Sequence, residues 1–260
     1  MTHSLENYLE FAKEIAWEAG KLTLGHFQTG VRPEWKEDDS PVTVADRGAE
    51  YLMRQRIEEK YPSHSILGEE FEDKDAAGAS HRWIIDPIDG TKSFIRGIPL
   101  YGVLVCLEID GEPSVGVAGF PGLNEMVYAA NGLGCYWNGR RTKVADTPTL
   151  DRAMMAHIDA ASFDRYPGKG EAFQKLSKAT YYNMGVCDAY GYALVATGRM
   201  EISCDPIVNS YDIAPFLPII REAGGYCGDW QGNETIYAGE ALATTKTLLP
   251  QVLDVIHADK

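Results

Sequence analysis

Apolar residues at the start of the chain recur with the spacing of amphipathic helices. The pattern predicts one helix from Leu5 to Phe27 and a second from about Ala45 to Lys60, each with one face against a core. A short strand over Ser65 to Leu67 follows, and the apolar run Trp83 to Ile85 indicates the end of a buried strand. We therefore expect the chain to open with two helices that cover a sheet.

In the middle of the chain the helical period gives way to runs that predict strands. Asp110-Gly111 and Asn138-Gly139 are dipeptides typical of the tight turns between antiparallel strands. We therefore predict an antiparallel meander that supplies sheet to the core. Its strands are expected over residues 101–109, 114–120, 125–130 and 134–137.

The remainder of the chain alternates between strand-like and helix-like segments. Polar residues 143–149, with Pro148, predict the junction between two halves, 1–146 and 147–260, of one structural unit. The alternation predicts an α/β (α+β) fold with layered sheets and helices. The predicted helices lie within residues 166–178, 186–198, 211–223 and 246–257. The predicted strands are 153–158, 179–184 and 200–204, and the last strands lie within 236–244.

Two acids and a helix start share the stretch from Trp83 to Phe94. Asp86 and Asp89 follow a strand closely enough to bring carboxylate oxygens to one point, and a hard cation such as Mg²⁺ prefers such ligands. Gly90 and Thr91 come where a helix can begin, and free N–H groups at a helix start attract anions. The combination predicts metal-assisted phosphoryl chemistry. The alternative is a pair of surface turns, Asp-Pro and Asp-Gly.

Net charge limits the choice of partner. The sequence has 24 basic and 38 acidic residues, a formal charge of −14, which disfavours nucleic acid as a partner. The same negative charge repels an anionic substrate. A phosphate ester would therefore require bound cations that make the local electrostatic potential positive. The expected partner is a small-molecule phosphate monoester.

The sequence favours a cytoplasmic location. It has no run of 18 apolar residues that could span a membrane, and its N-terminal residues lack the basic-then-apolar pattern of a secretion signal. Its cysteines are odd in number and include no Cys-x-x-Cys pair, which favours a reducing compartment over a disulfide frame or a thiolate metal site. The cysteines are Cys106, Cys135, Cys187, Cys204 and Cys227.

Acidic residues also occur at a second strand end and in the first turn of a helix. Gly68-Glu69-Glu70 ends the strand at 65–67, and strand ends in layered α/β domains collect ligand groups. Asp46 lies in the first turn of the second predicted helix. A carboxylate there either stabilises the helix dipole or takes part in chemistry, and the residue pattern leaves both roles open.

These acidic motifs resemble the signatures of the inositol monophosphatase family. The similarity extends over essentially the whole chain, and the motifs occur in the family's order and spacing. It implies a layered α-β-α-β-α sandwich of the inositol monophosphatase/fructose-1,6-bisphosphatase type, a homodimer, and hydrolysis of a phosphate monoester. The motifs are Lys36, Ser40-Pro41-Val42, Thr43-Val44-Ala45-Asp46, Gly68-Glu69-Glu70, Trp83 to Thr91, Tyr211-Asp212 and Glu222-Ala223-Gly224-Gly225.

The resemblance implies two to three Mg²⁺ ions in each active site. It assigns the first ion to Glu69, Asp86 and the main-chain carbonyl of Ile88. It assigns the second ion to Asp86, Asp89 and Asp212. Glu69 is also expected to help hold a weaker third ion through waters. Ions shared through Asp86 agree with the preference of Mg²⁺ for carboxylate oxygen.

The resemblance also implies how the phosphate and the attacking water are held. Asp89, Gly90 and Thr91 are expected to bind the phosphate at the helix start. Thr91 and Asp46 are expected to hydrogen-bond the water that attacks phosphorus, which favours the catalytic role for Asp46, and Glu69 shares in catalysis. Accessory roles at the site are expected for Lys36 and Glu70.

The second half is expected to select the alcohol of the ester. Asp188, Asp205 and the pair Tyr211-Asp212 resemble the histidinol-phosphate phosphatases of the family. Two acids beside the leaving group suit a substrate with an ammonium, and L-histidinol phosphate has one. Three alternatives are open: Asp188 as a helix cap, inositol-1-phosphate or a related sugar phosphate as substrate, and a non-catalytic metal- or phosphate-binding homologue.

Overall fold

The computed structural model describes residues 4–186 and 188–258. Met1 to His3, used above in excluding a secretion signal, lie outside the described residues, as do Cys187 and residues 259–260. The helices are α1 (Leu5–His26), α2 (Val44–Lys60), α3 (Thr91–Ile95), α4 (Lys169–Ala179), α5 (Tyr190–Ala196), α6 (Ser210–Ile213), α7 (Phe216–Glu222) and α8 (Leu249–His257). The strands are β1 (Glu34–Trp35), β2 (Pro41–Val42), β3 (Ser65–Gly68), β4 (His81–Asp89), β5 (Gly102–Ile109), β6 (Glu112–Phe120), β7 (Glu125–Ala130), β8 (Gly134–Trp137), β9 (Arg140–Arg141), β10 (Met154–His157), β11 (Tyr182–Gly185), β12 (Ile202–Asp205), β13 (Gly225–Gly228) and β14 (Ala241–Thr245).

The two larger sheets alternate with three layers of helices, and β1 and β2 form a separate two-stranded sheet. The seven-stranded sheet runs β3-β4-β5-β6-β7-β8-β9, with β3 parallel to β4 and the other neighbours antiparallel. The five-stranded sheet runs β11-β10-β12-β14-β13. Helices α1 and α2 cover the first sheet, α5 and α7 lie between the sheets, and α4 and α8 cover the second. The predicted α-β-α-β-α layering is therefore confirmed.

Successive residues of the central strands face different helical layers. In β4, Trp83 and Ile85 pack in a cluster with α1 and α2, while Ile84 between them packs in a cluster with α5 and α7. Because helices cover both faces, these strands are nearly continuous apolar runs. Truncating Ile85 to alanine would cost about 2–5 kcal/mol.

The prediction of one helix over 211–223 is wrong. The helix is interrupted at Ala214–Pro215, because Pro215 and Pro218 have no N–H to donate to the carbonyls one turn earlier. Gly116 of β6 lies against this interruption, where a Cβ would be 2.0 Å from the carbonyl oxygen of Pro215. The close approach of Pro215 to Gly116 lets α6, which carries Asp212, pack over β4 and β5.

Several other predicted elements differ in extent. The predicted helix 186–198 is only α5, and of the strands predicted within 236–244 only β14 is formed. Strand β13 was not predicted, because the two glycines of its sequence disfavour strand structure. Those glycines permit close packing: a Cβ on Gly228 would be 2.1 Å from the carbonyl oxygen of Asn233.

The two sheets are formed by different parts of the chain. Residues 65–141 form the seven-stranded sheet, and residues 154–245 form the five-stranded one. The division into halves at 146/147 stays a prediction. None of the helices in the described part of the chain has both the length and the apolar composition that a membrane span requires.

Candidate active site

Strand β4 carries the first acids of the site into the interior. The strand was predicted to end at Ile85, but it continues to Asp89 with an irregular register against β5 between Asp86 and Asp89. Asp86 is 1% exposed and Asp89 is 8% exposed, so the interpretation of this stretch as two surface turns is wrong. Gly90, with φ of 85°, then turns the chain into α3.

Three carboxylates meet where β4 ends. Ligand oxygens of Asp86, Asp89 and Asp212 lie within 4.8 Å of one another. One oxygen of each accepts a main-chain N–H: Asp86 Oδ1 from Ile88 at 3.0 Å, Asp89 Oδ2 from Ala189 at 2.7 Å, and Asp212 Oδ2 from Asn209 at 2.7 Å. These bonds orient the carboxylates and leave the second oxygen of each for a ligand.

Glu69 reaches the same cavity from the loop after β3. Lys36 Nζ lies 2.9 Å from Glu69 Oε1 and 2.8 Å from Glu70 Oε1, so one ammonium bridges both acids. The Glu70 side chain is almost fully buried. The predicted accessory residues Lys36 and Glu70 therefore lie together at the edge of the acidic cluster.

Eight of the twelve predicted site residues line one cavity of about 170 Å³, while Lys36, Asp46, Glu70 and Asp205 do not line it. Ser40, Pro41, Lys92, Asn209 and Tyr211 complete its wall. Its predicted site residues are Glu69, Asp86, Ile88, Asp89, Gly90, Thr91, Asp188 and Asp212.

Burial and mutual repulsion raise the pKa values of these acids. For Asp86 the pKa is raised well above its ordinary range, first by burial and then by the charges of Glu69, Asp89 and Asp212. Burial raises the pKa of Asp212 to about 7. For Lys36, burial opposes the charged form, but its hydrogen bonds to the two glutamates outweigh burial and raise its pKa to about 12.

Asp46 caps its helix and also contacts Thr91 of the predicted site. Its Oδ2 accepts hydrogen bonds from Thr43 N at 2.8 Å and Thr43 Oγ1 at 2.5 Å, which caps α2. Its Oδ1 lies 3.1 Å from Thr91 Oγ1. Thr91 Oγ1 is also 3.1 Å from the carbonyl oxygen of Ile88, and its single hydrogen can serve one acceptor at a time. Burial raises the pKa of Asp46, and these hydrogen bonds partly offset the increase.

Asp188 lies over the start of α3. Its backbone is left-handed, with φ of 44°, and a Cβ added to Gly90 would be 2.8 Å from Asp188 Oδ2. Within the described residues, α5 has no side-chain cap, so the interpretation of Asp188 as a helix cap is wrong. The N–H of Ala189 at this point is bound by Asp89 instead.

Asp205 is set back from the main cavity. It lines a smaller adjoining cavity of about 50 Å³, whose wall also includes Asp89, Asp188 and Asp212. Asp205 Oδ2 accepts a hydrogen bond from the Tyr192 hydroxyl, and its Oδ1 accepts the Ile158 N–H at 3.3 Å. Burial raises the pKa of Asp205 to about 7.

The whole described chain matches a known family. The sequence profile of the inositol monophosphatase family covers residues 4–258. The chain belongs to the inositol monophosphatase family. It is similar to a histidinol-phosphatase of Chlorobaculum parvum, with 40% identity over 242 residues and 93% of both chains covered. It is also similar to a histidinol-phosphatase of Mycobacterium tuberculosis, with 34% identity over 256 residues, 96% of this chain and 98% of that one.

Solved structures of the inositol monophosphatase family share the fold. An inositol monophosphatase from Zymomonas mobilis superposes with a TM-score of 0.86 and 30% identity, covering 98% of this chain and 99% of that one. The family consists of metal-dependent phosphatases, and the acidic cluster suits such a metal. Its donors are oxygens, the ligands of hard cations. Burial, and then the charges of neighbouring acids, raise the pKa values of Asp86 and Asp89, and a bound cation would favour their ionised forms.

Sequence reasoning assigned no role to three residues that hold the site of this family member together. Tyr192 binds Asp205, Asn209 donates its main-chain N–H to Asp212, and Glu50 binds the loop that carries Glu69. Asn209 and Asp212 form a capping box, which their spacing could have revealed. Glu50 follows Asp46 by one helical turn and so lies on the same face of α2. An acid on that inner face could have indicated a role near the site.

Proposed function

We propose that this chain hydrolyses L-histidinol phosphate to L-histidinol and inorganic phosphate, with Mg²⁺ as the cofactor. The observation that carries the proposal is Asp188, whose carboxylate lies against Gly90 at the wall of the acidic cavity. A carboxylate beside the leaving group would receive the ammonium of histidinol phosphate through a charge-assisted hydrogen bond. Relatives named histidinol-phosphatase at 40% and 34% identity support this choice.

The acidic cluster would hold two to three Mg²⁺ ions. Asp86, Asp89, Asp212 and Glu69 would bind them, with the carbonyl oxygen of Ile88 as a further ligand. When bound, such ions lower the pKa of water and neutralise charge on the phosphate. The main-chain hydrogen bonds to the three aspartates fix the direction of each carboxylate before any ion arrives.

Thr91 and Asp46 would align the attacking water. With its hydrogen directed to Asp46 Oδ1 or to the Ile88 carbonyl, Thr91 Oγ1 presents lone pairs that can accept a water proton. The proton can then move from the water to Thr91 Oγ1 while the threonine proton moves to Asp46 Oδ1. Asp46 would therefore act as the final acceptor, and burial that raises its pKa favours that role.

The start of α3 would hold the phosphate. Asp89, Gly90 and Thr91 line the cavity where β4 turns into α3. In the reaction, a bond forms between the water oxygen and phosphorus while the bond from phosphorus to the ester oxygen breaks. The departing histidinol oxygen takes a proton from solvent. Gly90 leaves room for both the phosphate and the Asp188 carboxylate, because any Cβ there would approach Asp188 Oδ2.

A comparison of two esters tests the substrate. Purified protein with saturating Mg²⁺ would be assayed with L-histidinol phosphate and with inositol-1-phosphate. We expect kcat/KM for histidinol phosphate to be about 100-fold higher, the gain of roughly 3 kcal/mol that one charge-assisted contact can give. The alternative, an inositol- or sugar-phosphate phosphatase, is favoured by similarity to the Zymomonas mobilis enzyme and would reverse this ratio.

The remaining expectations concern organisation. We propose that residues 1–146 and 147–260 act as one unit, that two chains form a homodimer, and that the protein is cytoplasmic. Light scattering on the purified protein tests the dimer. The expected mass is twice the 28.7 kDa of the chain, and a species at the single-chain mass would contradict it.

A further inference from the structure

Glu50 is a buried acid that touches neither the cavity nor the proposed metal ligands' side chains. It lies on α2, one turn after Asp46, and its side chain is 0% exposed. A buried carboxylate requires hydrogen-bond donors. Arg54 of the same helix provides one, with Nε 2.7 Å from Glu50 Oε1.

The other donors come from the loop that carries Glu69. The N–H of Glu70 lies 2.7 Å from Glu50 Oε2, and the N–H of Phe71 lies 3.3 Å from Glu50 Oε1. Arg54 also donates to the carbonyl oxygen of Phe71 at 3.1 Å. Glu50 and Arg54 therefore bind the main chain directly after Glu69.

The main chain directly before Glu69 is pressed against the same carboxylate. A Cβ on Gly68 would lie 2.2 Å from Glu50 Oε1, 2.6 Å from its carboxyl carbon and 2.9 Å from an Arg54 nitrogen. These atoms are held by hydrogen bonds and cannot retreat freely. Strand β3 can therefore end at this place only with glycine.

We propose that Glu50 is a positioning residue that fixes the backbone on both sides of Glu69, so that the Glu69 carboxylate faces Asp86 and the metal site. The inference rests on the proposed metal-dependent phosphatase function. Glu50 touches Gly68 and Glu70 but leaves the Glu69 side chain free to face the cavity. Asp46, the proposed proton acceptor, lies on the same helix as Glu50. Helix α2 would therefore fix the position of Glu69, the proposed metal ligand, relative to Asp46.

The variant Glu50→Gln tests this role with little change in volume. Its amide nitrogen would face the N–H of Glu70 or Phe71, or the Arg54 guanidinium, so one donor would meet another donor. We expect the dissociation constant for Mg²⁺ to rise about tenfold, as is typical when a residue behind a metal ligand is changed. Calorimetric titration of the metal-free full chain with MgCl₂ measures this without any substrate.

Kinetics provide a second readout. The Mg²⁺ concentration for half-maximal activity should rise by a similar factor, while KM for the ester at saturating Mg²⁺ stays nearly unchanged. Glu58→Gln is the matched control, because Glu58 lies on the same helix with its side chain 50% exposed and paired only with Lys74 among the described ion pairs. This control should bind Mg²⁺ as the wild type does.

Gly68→Ala provides an independent variant, since it disturbs the same contact from the loop side. It should weaken Mg²⁺ binding too, and the double variant should be less than additive because both changes break one contact. Unchanged Mg²⁺ affinity in Glu50→Gln, with only a lower melting temperature, would overturn the positioning role. Failure of the wild type itself to bind Mg²⁺ would instead count against the proposed function.

Discussion

The Thr91 hydroxyl lies 3.1 Å from Oδ1 of Asp46, a carboxylate whose other oxygen caps α2. The contact joins residues 45 positions apart in the chain. It fixes the start of α2 to the turn that follows β4. The orientation of the Thr91 hydroxyl therefore depends on a residue that also caps the first turn of a helix.

Removing the Thr91 hydroxyl should slow the reaction without weakening metal binding. Thr91→Val keeps the shape of the side chain but cannot accept a proton from water, and we expect kcat to fall about 10²- to 10⁴-fold. Thr91→Ser keeps the hydroxyl and serves as the control, with kcat within about tenfold of the wild type. Steady-state kinetics at saturating Mg²⁺ measure both. Equal rates in the two variants would remove Thr91 from water activation.

Neutralising Asp86 should have opposite effects on stability with and without metal. In metal-free protein, Asp86→Asn removes a carboxylate whose ionisation is opposed by burial and by neighbouring acids, so it should raise the free energy of unfolding at pH 8. With Mg²⁺ at about 100 times its dissociation constant, the wild type should gain about 2.7 kcal/mol and the variant little.

Denaturant unfolding in EDTA and in MgCl₂ measures the effects of Asp86→Asn. The control is Asp110→Asn, at an exposed turn position that remains suited to asparagine. It should behave as the wild type in both buffers. Lower stability of Asp86→Asn in EDTA would show that repulsion among these acids does not limit the metal-free state.

Asp205 should make the protein less stable as pH rises. Its folded pKa of about 7 exceeds the ordinary value of 3.8, so the folded state binds the proton more tightly than the unfolded chain. Its stabilising contribution is therefore complete below about pH 4 and is lost as pH rises through 7. The loss is on the order of 4 kcal/mol at most.

Asp205→Asn should remove that part of the pH dependence. The amide can still pair with the Ile158 N–H and the Tyr192 hydroxyl, because a hydroxyl donates or accepts. Urea unfolding at pH 5 and pH 8, with Mg²⁺ present so that the metal ligands stay ionised, compares the two proteins. An equal decline in both would mean that Asp205 is already ionised at pH 5.

Asp188→Asn should change substrate preference. It removes the negative charge offered to an ammonium, so KM for L-histidinol phosphate should rise about 10- to 100-fold, while KM for an uncharged ester changes little. Asp151→Asn is the control, since Asp151 is exposed and lies outside the cavity. Equal effects of Asp188→Asn on both esters would exclude Asp188 as an ammonium receptor.

Local signals in the sequence predicted most of the first sheet and the acidic residues at the ends of β3 and β4. The dipeptides Asp110-Gly111 and Asn138-Gly139 predict two turns of the meander, and both turns are present. Asp86 and Asp89 lie on one strand, so their proximity follows from chain geometry alone. The family resemblance added Asp212, which local patterns could not have linked to them.

Contacts between distant segments account for what the sequence did not reveal. Asp205 and Tyr192 come from a strand and a helix, and their hydrogen bond draws the Asp205 carboxylate away from the main cavity. The left-handed backbone of Asp188 is a conformation that asparagine and aspartate tolerate, but nothing nearby in the sequence requires it. Pro215 is a local signal for the break between α6 and α7. The position of α6 over the sheet depends in addition on Gly116, a distant residue whose missing side chain lets Pro215 approach β6.

The packing of α6 on β4 and β5 also has a consequence for the order of events during translation of the chain. Glu69, Asp86 and Asp89 emerge from the ribosome well before Asp212, so a partly made chain would hold an incomplete and self-repelling acidic pocket. The proposed binding of metal should therefore occur only late in synthesis, after the second sheet has packed against the first and brought α6 into place. Nascent chains stalled before Ser210 should fail to retain Mg²⁺, whereas tight retention by them would refute this timing. Retention of Mg²⁺ by the chain would then indicate that the two larger sheets have packed against each other.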